Sequence, residues 1–467
     1  MTTSLTFFGG LHSVGGVQIL YGHNNTGLLF DAGISHHDLF QAPFIHLKEP
    51  LSRPMPHREL RQYLLTRMAP PIFGLYDQKE LGSLTEQDLL RIWGKTSFPA
   101  FDHMHVFVSH IHQDHMALLP FLHAGITVHM HEDALGVYNA LTEAGYYDGT
   151  NAVIAPFQSN EKIMMDGIEL QTLEVDHNTP GASGFILKEE GFTLANTADW
   201  RTHGPHGERM EHFITQCQQE DVDILITEAT RVNKKSITTR QKNTPEADFF
   251  KQYMQLIENA QALVYLLTLP LDAERMAGIM KKTKASGKTL VLEEKTALFW
   301  NEIIANNVCS LAEDPVLQDE NLFSVLEPDS LTKQKLPYPA RTVSEITQTK
   351  QNYVLHLHYT SVPYLAEFEK LGPSVSENST MIHADAPVHQ NHLQNWLDEF
   401  QISYHNISTK GHAAPHEITK LTERIAPGVV VPVHGRHPHL VDSKSVKKYL
   451  PERGETLTQD TLAEILS

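Results

Sequence analysis

Four side chains within six residues, His110, His112, Asp114 and His115, carry the densest chemistry in the chain. Imidazole nitrogens and carboxylate oxygens are the donors a borderline-soft cation such as Zn2+ takes. A turn that splays neighbouring side chains sends them toward two adjacent ions, and two ions are needed to use all four. Ions ~3.5–4 Å apart clamp the attacking and leaving oxygens of a displacement. The chain holds 29 histidines against 27 glycines, an excess that gains meaning because part of it is clustered.

The elements around this run must aim it. An apolar strand, His105 to Val108, leads straight into it, and Met116 to Leu122 follows with helical spacing, so the donors sit at a strand's C-terminal end. Upstream, short strands at Leu5–Phe8, Gly16–Tyr21 and Gly27–Phe30 alternate with glycine turns as a β-meander that ends in Asp31-Ala32-Gly33. Residues 34–104 are proline-rich, with helical stretches at Arg58–Thr66 and Thr85–Ile92, and read as an insertion that could wall a cleft. Strands and helices then alternate to complete a first α/β domain, residues 1–230.

The polar stretch Arg231–Lys242 reads as a linker. Beyond it come a helix opened by Thr244-Pro245, a strand Leu263–Leu267, a helix Asp272–Lys284 and a strand Thr289–Leu292. This parallel-sheet pattern predicts a second domain over 231–405. Residues 406–467, with Gly411-His412-Ala413, a helix Pro415–Ile425 and a strand Val429–Val433 ending in His434-Gly435, are expected to complete the first domain.

The histidine run resembles the signature of the metallo-β-lactamase superfamily, and further motifs in the same order carry the resemblance along nearly all of the chain. Asp31 in LFDAG matches the first motif, His177 after Asp176 and before Pro180-Gly181 the third, and Asp199 in Thr197-Ala198-Asp199-Trp200 the fourth. The resemblance implies an αββα sandwich. It also implies one ion held by His110, His112 and His177 and a second held by Asp114, His115 and His434. Asp199 would bridge the two, and Asp31 would orient a ligand histidine. Ala198 stands where the family usually has glycine, so the backbone before Asp199 must tolerate a Cβ.

The inserted parallel-sheet domain is similar to that of the β-CASP subgroup, which processes nucleic acids. Glu228 in Thr227-Glu228-Ala229-Thr230 matches motif A, His412 in Thr409-Lys410-Gly411-His412-Ala413 motif B, and His434 in Pro432-Val433-His434-Gly435 motif C. Histidine at motif C is associated with RNA-cutting members, and the pattern is most similar to the ribonuclease J family. That resemblance implies a metal-dependent hydrolase with two Zn2+ per chain, Mn2+ being the alternative. Its substrate would be single-stranded RNA, cut by a metal-activated hydroxide to leave 5′-phosphate and 3′-hydroxyl ends. Catalytic roles fall on Asp114, His412 and Glu228, with His412, held by Glu228, protonating the departing oxygen. The glycine- and serine-rich loop for an RNA 5′-phosphate is replaced by His356-Leu357-His358-Tyr359-Thr360-Ser361, so endonucleolytic cutting is expected to dominate. The chain ends soon after His434, so the extra C-terminal domain of bacterial members is expected to be missing, and a homodimer is left open.

Composition bounds these expectations. Lys and Arg number 37 against 56 Asp and Glu, a net charge of −19 that repels a polyanion unless basic groups gather locally. The stretch Arg231–Lys242 and the cluster Lys281, Lys282, Lys284 and Lys288 are the candidates for backbone contact, a solvated face being the plainer reading. His356, His358, His383, His389 and His392 read as surface or cleft histidines, with His383 or His389 placed to touch substrate. Hydrophobic residues at 41% and charged residues at 20% exclude bulk disorder. Two cysteines, Cys217 and Cys309, exclude a disulfide framework, and Met1–Gly10 carries no signal-peptide pattern, so a cytoplasmic protein without a membrane span is expected. The competing expectation is a hydrolase of the same fold acting on a small ester, lactone or phosphorylated metabolite.

Overall fold

The computed structural model describes residues 3–35, 53–238, 242–327, 336–371, 377–385 and 390–467. Side-chain alternation with period two decides how its strands pack. In the first sheet the strands run in the order Glu455–Thr458, Thr3–Gly9, Gln18–His23, Thr26–Phe30, His103–Phe107, Thr127–His131 and Val153–Phe157. Its residues Leu5, Phe7, Ile19, Tyr21, Leu28, Phe30 and Phe107 point to one side. There they meet Leu170, Phe185, Leu187, Leu194, Ile224, Ile226, Val429 and Val431 of a second sheet. That sheet runs Lys447–Lys448, Val429–Val433, Ile224–Glu228, Phe192–Asn196, Ser183–Glu189, Ile168–Glu174 and Lys162–Met165.

The intervening residues face outward and are covered by helices. Phe8, Leu20, Leu29, Val106 and Val128 share a core with Leu60, Leu64, Leu89 and Val137, which lie on the helices Glu59–Leu65, Glu86–Trp93 and Glu132–Glu143. On the other side Ile186, Leu225 and Val430 pack beneath the helices Gly207–Gln219 and Pro415–Ile425. The result is the four-layered αββα arrangement, with the helical parts of 53–102 built into its outer layer.

The strands between Val264 and Asn406 form a third sheet in the order Ala340–Arg341, Ser324–Leu326, Thr289–Glu293, Tyr353–Leu357, Val264–Leu267, Thr380–His383 and Ser403–Asn406. Every pairing in it is parallel, and both faces are buried, as parallel sheets require. This is the additional α/β domain, and its core is continuous with that of the first sheet. Helix Glu294–Ala305 lies on helix Glu132–Glu143, where a Cβ at Gly136 would press on Val308. The chain then returns. Val429–Val433 pairs with Ile224–Glu228, and Glu455–Thr458 pairs with Thr3–Gly9, so the last part of the chain supplies strands to both sheets of the sandwich.

Several local expectations shift. The second strand begins at Gln18 rather than Gly16, because Gly15 and Gly16 turn the chain at φ of +80° and +69°. Arg231–Lys242 is not a plain linker: Lys234–Thr238 is a short helix, and Arg231 is folded into the site described below. In the lysine cluster, Lys281 pairs with Asp314 at 2.9 Å and Lys284 with Asp319, which offsets two of its charges. His356 and His383 are fully buried, not surface groups. Both nitrogens of His383 are engaged, by the Tyr359 and Tyr404 hydroxyls, so it is not placed to touch a substrate. His389 lies outside the described residues. Among those described, no helix is long and apolar enough to cross a membrane.

Candidate metal centre

Each expected donor arrives at the edge of the sandwich on a strand end or the turn after it. His110 and His112 follow strand His103–Phe107, and Asp114 and His115 open the short helix Gln113–Met116. His177 follows strand Ile168–Glu174, Asp199 follows Phe192–Asn196, and His434 follows Val429–Val433. The close approach depends on Gly33, where a Cβ would strike the Asp114 carbonyl. Ala198 sits at φ +50°, so the left-handed turn before Asp199 is made by a residue with a Cβ.

The side chains converge as two overlapping sets. His110 Nε2 lies 3.0 Å from His112 Nδ1, which lies 3.3 Å from His177 Nε2. His434 Nε2 lies 3.2 Å from Asp114 Oδ2. His110, His112 and His177 form one possible cation site, and Asp114, His115 and His434 another. Between them stands Asp199, whose Oδ2 is 3.3 Å from His115 Nε2, 3.4 Å from His434 Nε2, 3.5 Å from His412 Nδ1 and 3.8 Å from His110 Nε2.

Four of the remaining imidazole nitrogens are committed. His115 Nδ1 donates to Asp31 Oδ2 at 2.8 Å, and Asp31 also accepts from the Ser109 amide and hydroxyl. His110 Nδ1 donates to Ser109 Oγ at 3.0 Å, His177 Nδ1 to the Gly411 carbonyl at 2.8 Å, and His434 Nδ1 to Thr230 Oγ1 at 2.7 Å. These contacts fix the tautomers, so that the Nε2 lone pairs of four histidines face inward, the usual condition for metal ligation. Asp199 Oδ2 and His115 Nε2 are buried without a hydrogen-bond partner despite their crowding. A buried carboxylate oxygen ringed by imidazoles and lacking a proton to share fits a pair of cations, and the donor set fits zinc.

The charges tell the same story. Burial keeps His110 and His177 below the ordinary histidine range and pushes His112 down to about 4, so all three are neutral near pH 7. Burial opposes ionisation of Asp199, but His434, His115 and His412 outweigh it and hold the carboxyl well below its usual range.

His412 stands beside the cluster, 24% exposed at the mouth. Its Nδ1 is 3.1 Å from Glu228 Oε2. Burial disfavours its charge, yet Glu228 and then Asp199 more than offset that and hold its pKa up at about 9. Glu228 is itself fixed: Oε1 accepts from the Trp200 and Ala413 amides at 3.2 and 3.1 Å. On the outer side, Tyr63 and Glu59 of the 34–104 stretch join Gln113 and Tyr147 in lining a cavity of about 580 Å³ next to the short helix Gln113–Met116.

Sequence reading missed the residues that support the site. Arg201 is 2% exposed and donates to Asp176 Oδ1 at 3.2 Å and to the His177 carbonyl at 3.1 Å. His203 donates to the Lys410 carbonyl at 2.7 Å, and Arg231 to the His412 carbonyl at 2.9 Å. No motif marks these positions; the nearest signal is that Arg201 and His203 lie within four residues of Asp199.

No family model matches the chain. It is similar to Ribonuclease J of Sinorhizobium meliloti (strain Sm2011 / Rm2011 / 2011), 19% identical over 358 residues. The match takes in 72% of this chain and 58% of that protein, so it spans little more than half of the relative's length. Among solved structures it is similar to a protein of unknown function from Enterococcus faecalis V583, with a TM-score of 0.74 and 21% identity over 98% of this chain and all of that one. That likeness shows the fold from end to end.

Proposed function

We propose that this protein is a metal-dependent hydrolase of the metallo-β-lactamase type that cuts single-stranded RNA, mainly internally, leaving 5′-phosphate and 3′-hydroxyl ends. The observation that carries the reading is the seven-residue donor cluster with His412 and its Glu228 partner against one side. The relative named Ribonuclease J supports RNA as the substrate class. When bound, two divalent cations, zinc by the donor set or manganese, would lower the pKa of water and offset the charge that grows on the phosphoryl oxygens.

The chain's residues supply the rest. His110, His112 and His177 would hold one cation, Asp114, His115 and His434 the other, with Asp199 between them and Asp31 holding His115 in its useful tautomer. As the new P–O bond forms and the old one breaks, His412 gives its Nε2 proton to the departing 3′ oxygen. Glu228, 3.1 Å from Nδ1, would hold the charge of the imidazolium there and leave Nε2 as the nitrogen that gives the proton.

The test combines elemental analysis of protein purified without added zinc with cleavage of a 5′-labelled single-stranded RNA, with and without chelator. Two metals per chain, chelator-sensitive cleavage and its loss in His412→Ala are expected. A second reading, hydrolysis of a small ester, lactone or phosphorylated metabolite, is favoured by the net charge of −19 and by the pairing of Lys281 and Lys284 with Asp314 and Asp319. Two metals with no cleavage of RNA would select it.

A further inference from the structure

The segment Thr409–Ala413 has no regular secondary structure, so its polar groups need partners from elsewhere. Each of its five residues has one from a side chain of a different element. Thr409 Oγ1 accepts from Arg275, the Lys410 carbonyl from His203, the Gly411 carbonyl from His177 and the His412 carbonyl from Arg231, while the Ala413 amide donates to Glu228. Four of these partners lie close to the metal centre. The fifth, Arg275, lies on helix Ala273–Ala285 of the third-sheet domain.

Arg275 is 3% exposed and makes a two-pronged pair with Glu246, Nε to Oε1 at 2.6 Å and the second prong to Oε2 at 2.7 Å. Its guanidinium lies 4.8 Å from the centre of the Phe249 ring and also reaches the Ala384 carbonyl at 3.3 Å. Thr409 Oγ1 returns a hydrogen bond to Glu246 Oε2 at 3.1 Å. The same Oε2 is 3.9 Å from Arg201, which holds the carbonyl of His177. One carboxylate, 12% exposed, therefore stands between the arginine that steadies His177 and the arginine that steadies the His412 loop. A two-pronged guanidinium–carboxylate pair fixes direction as well as distance.

We propose that Arg275 and Glu246 are positioning residues for His412, acting through Thr409 so that the seating of the third-sheet domain sets where the proton donor stands. The inference rests on the role given to His412 above.

The leading test is Thr409→Val, which removes the hydroxyl and leaves the Arg275–Glu246 pair intact; Arg275→Lys is the second variant. Each is assayed on an RNA oligonucleotide, whose leaving alkoxide needs a proton, and on the p-nitrophenyl ester of thymidine 5′-monophosphate, whose leaving phenolate does not. The expected result is a kcat on RNA lower by about 10- to 100-fold with KM within about twofold, and a loss under about threefold on the activated ester. Metal content stays at the wild-type value in both variants, and Tm stays there in Thr409→Val. Equal losses on both substrates, or none, overturn the inference. Deuterium exchange of the 409–413 amides gives a readout independent of substrate: at least about tenfold faster exchange is expected in Thr409→Val, and unchanged exchange overturns the proposal. A wild-type chain that cleaves the activated ester but no RNA refutes the RNA reading separately.

Discussion

Glu228→Gln isolates the proton donor with the least disturbance. The glutamine keeps one oxygen for the Trp200 and Ala413 amides, but its NH2 group then faces His412 Nδ1–H and the Thr230 amide, donor against donor. Without the adjacent carboxylate, which is the largest influence raising it, His412 falls below its value of about 9. A raised histidine pKa preserves the protonated form up to that pKa and loses it as pH rises through it. At pH 8 the wild-type donor is about nine-tenths protonated, and a fall of about 2 units leaves about a tenth of the variant's donors protonated, a rate defect of about tenfold. At pH 6 both forms are mostly protonated, and the defect shrinks to less than about twofold. The assay is kcat/KM for RNA cleavage from pH 6 to 9 at saturating metal. A defect of the same size across that range, or a variant with the wild-type profile, would refute the assignment of the proton to His412 under the control of Glu228.

Three further outcomes are expected. Asp31→Asn loses the carboxylate that accepts from His115 Nδ1, and metal affinity should fall by about 10- to 100-fold in a chelator-competition titration; an unchanged affinity would free His115 from Asp31. Ala198→Gly relieves a left-handed turn at φ +50° and should raise stability by up to about 1 kcal/mol in urea denaturation, a clear loss being the contrary result. Arg201→Leu leaves Asp176 and the His177 carbonyl without their buried donor and should cost about 3–5 kcal/mol of stability, read from the denaturation midpoint; a near-neutral change would show the pair to be dispensable.

The convergence of the donor side chains was legible because the types and spacing of most of them are local. Four donors lie in one turn, and the strand before them is a plain apolar run. The short strands at Leu5–Phe8 and Gly27–Phe30, set between glycine turns, likewise announced a β-meander. What stayed hidden depends on distance along the chain. Arg201, His203, Arg231 and Arg275 act on carbonyls and carboxylates that folding brings to them, and nothing in their neighbours tells a tethered arginine from a solvated one. For the same reason Arg231–Lys242 looked like a linker, since a charge run does not disclose where its partners stand. His383 shows the converse: a histidine in a strand is ambiguous until Tyr359 and Tyr404 are seen to occupy both nitrogens.

The returning strands at the end of the chain have a consequence for biosynthesis. Asp114 and His434 touch across 320 residues of sequence, and the ribosome must deliver the whole third-sheet domain before the second of them emerges. Until then Ile224–Glu228 lacks its neighbour Val429–Val433, and Thr3–Gly9 lacks Glu455–Thr458. The nascent sandwich thus waits with two open edges, the kind of surface that recruits strands from other chains. The intervening domain, whose parallel strands all come from one continuous stretch, has its full set of strands during that wait. Slow or interrupted synthesis after about residue 410 would therefore trap a half-built sandwich beside a finished domain, and cation capture would mark the moment the last strands arrive.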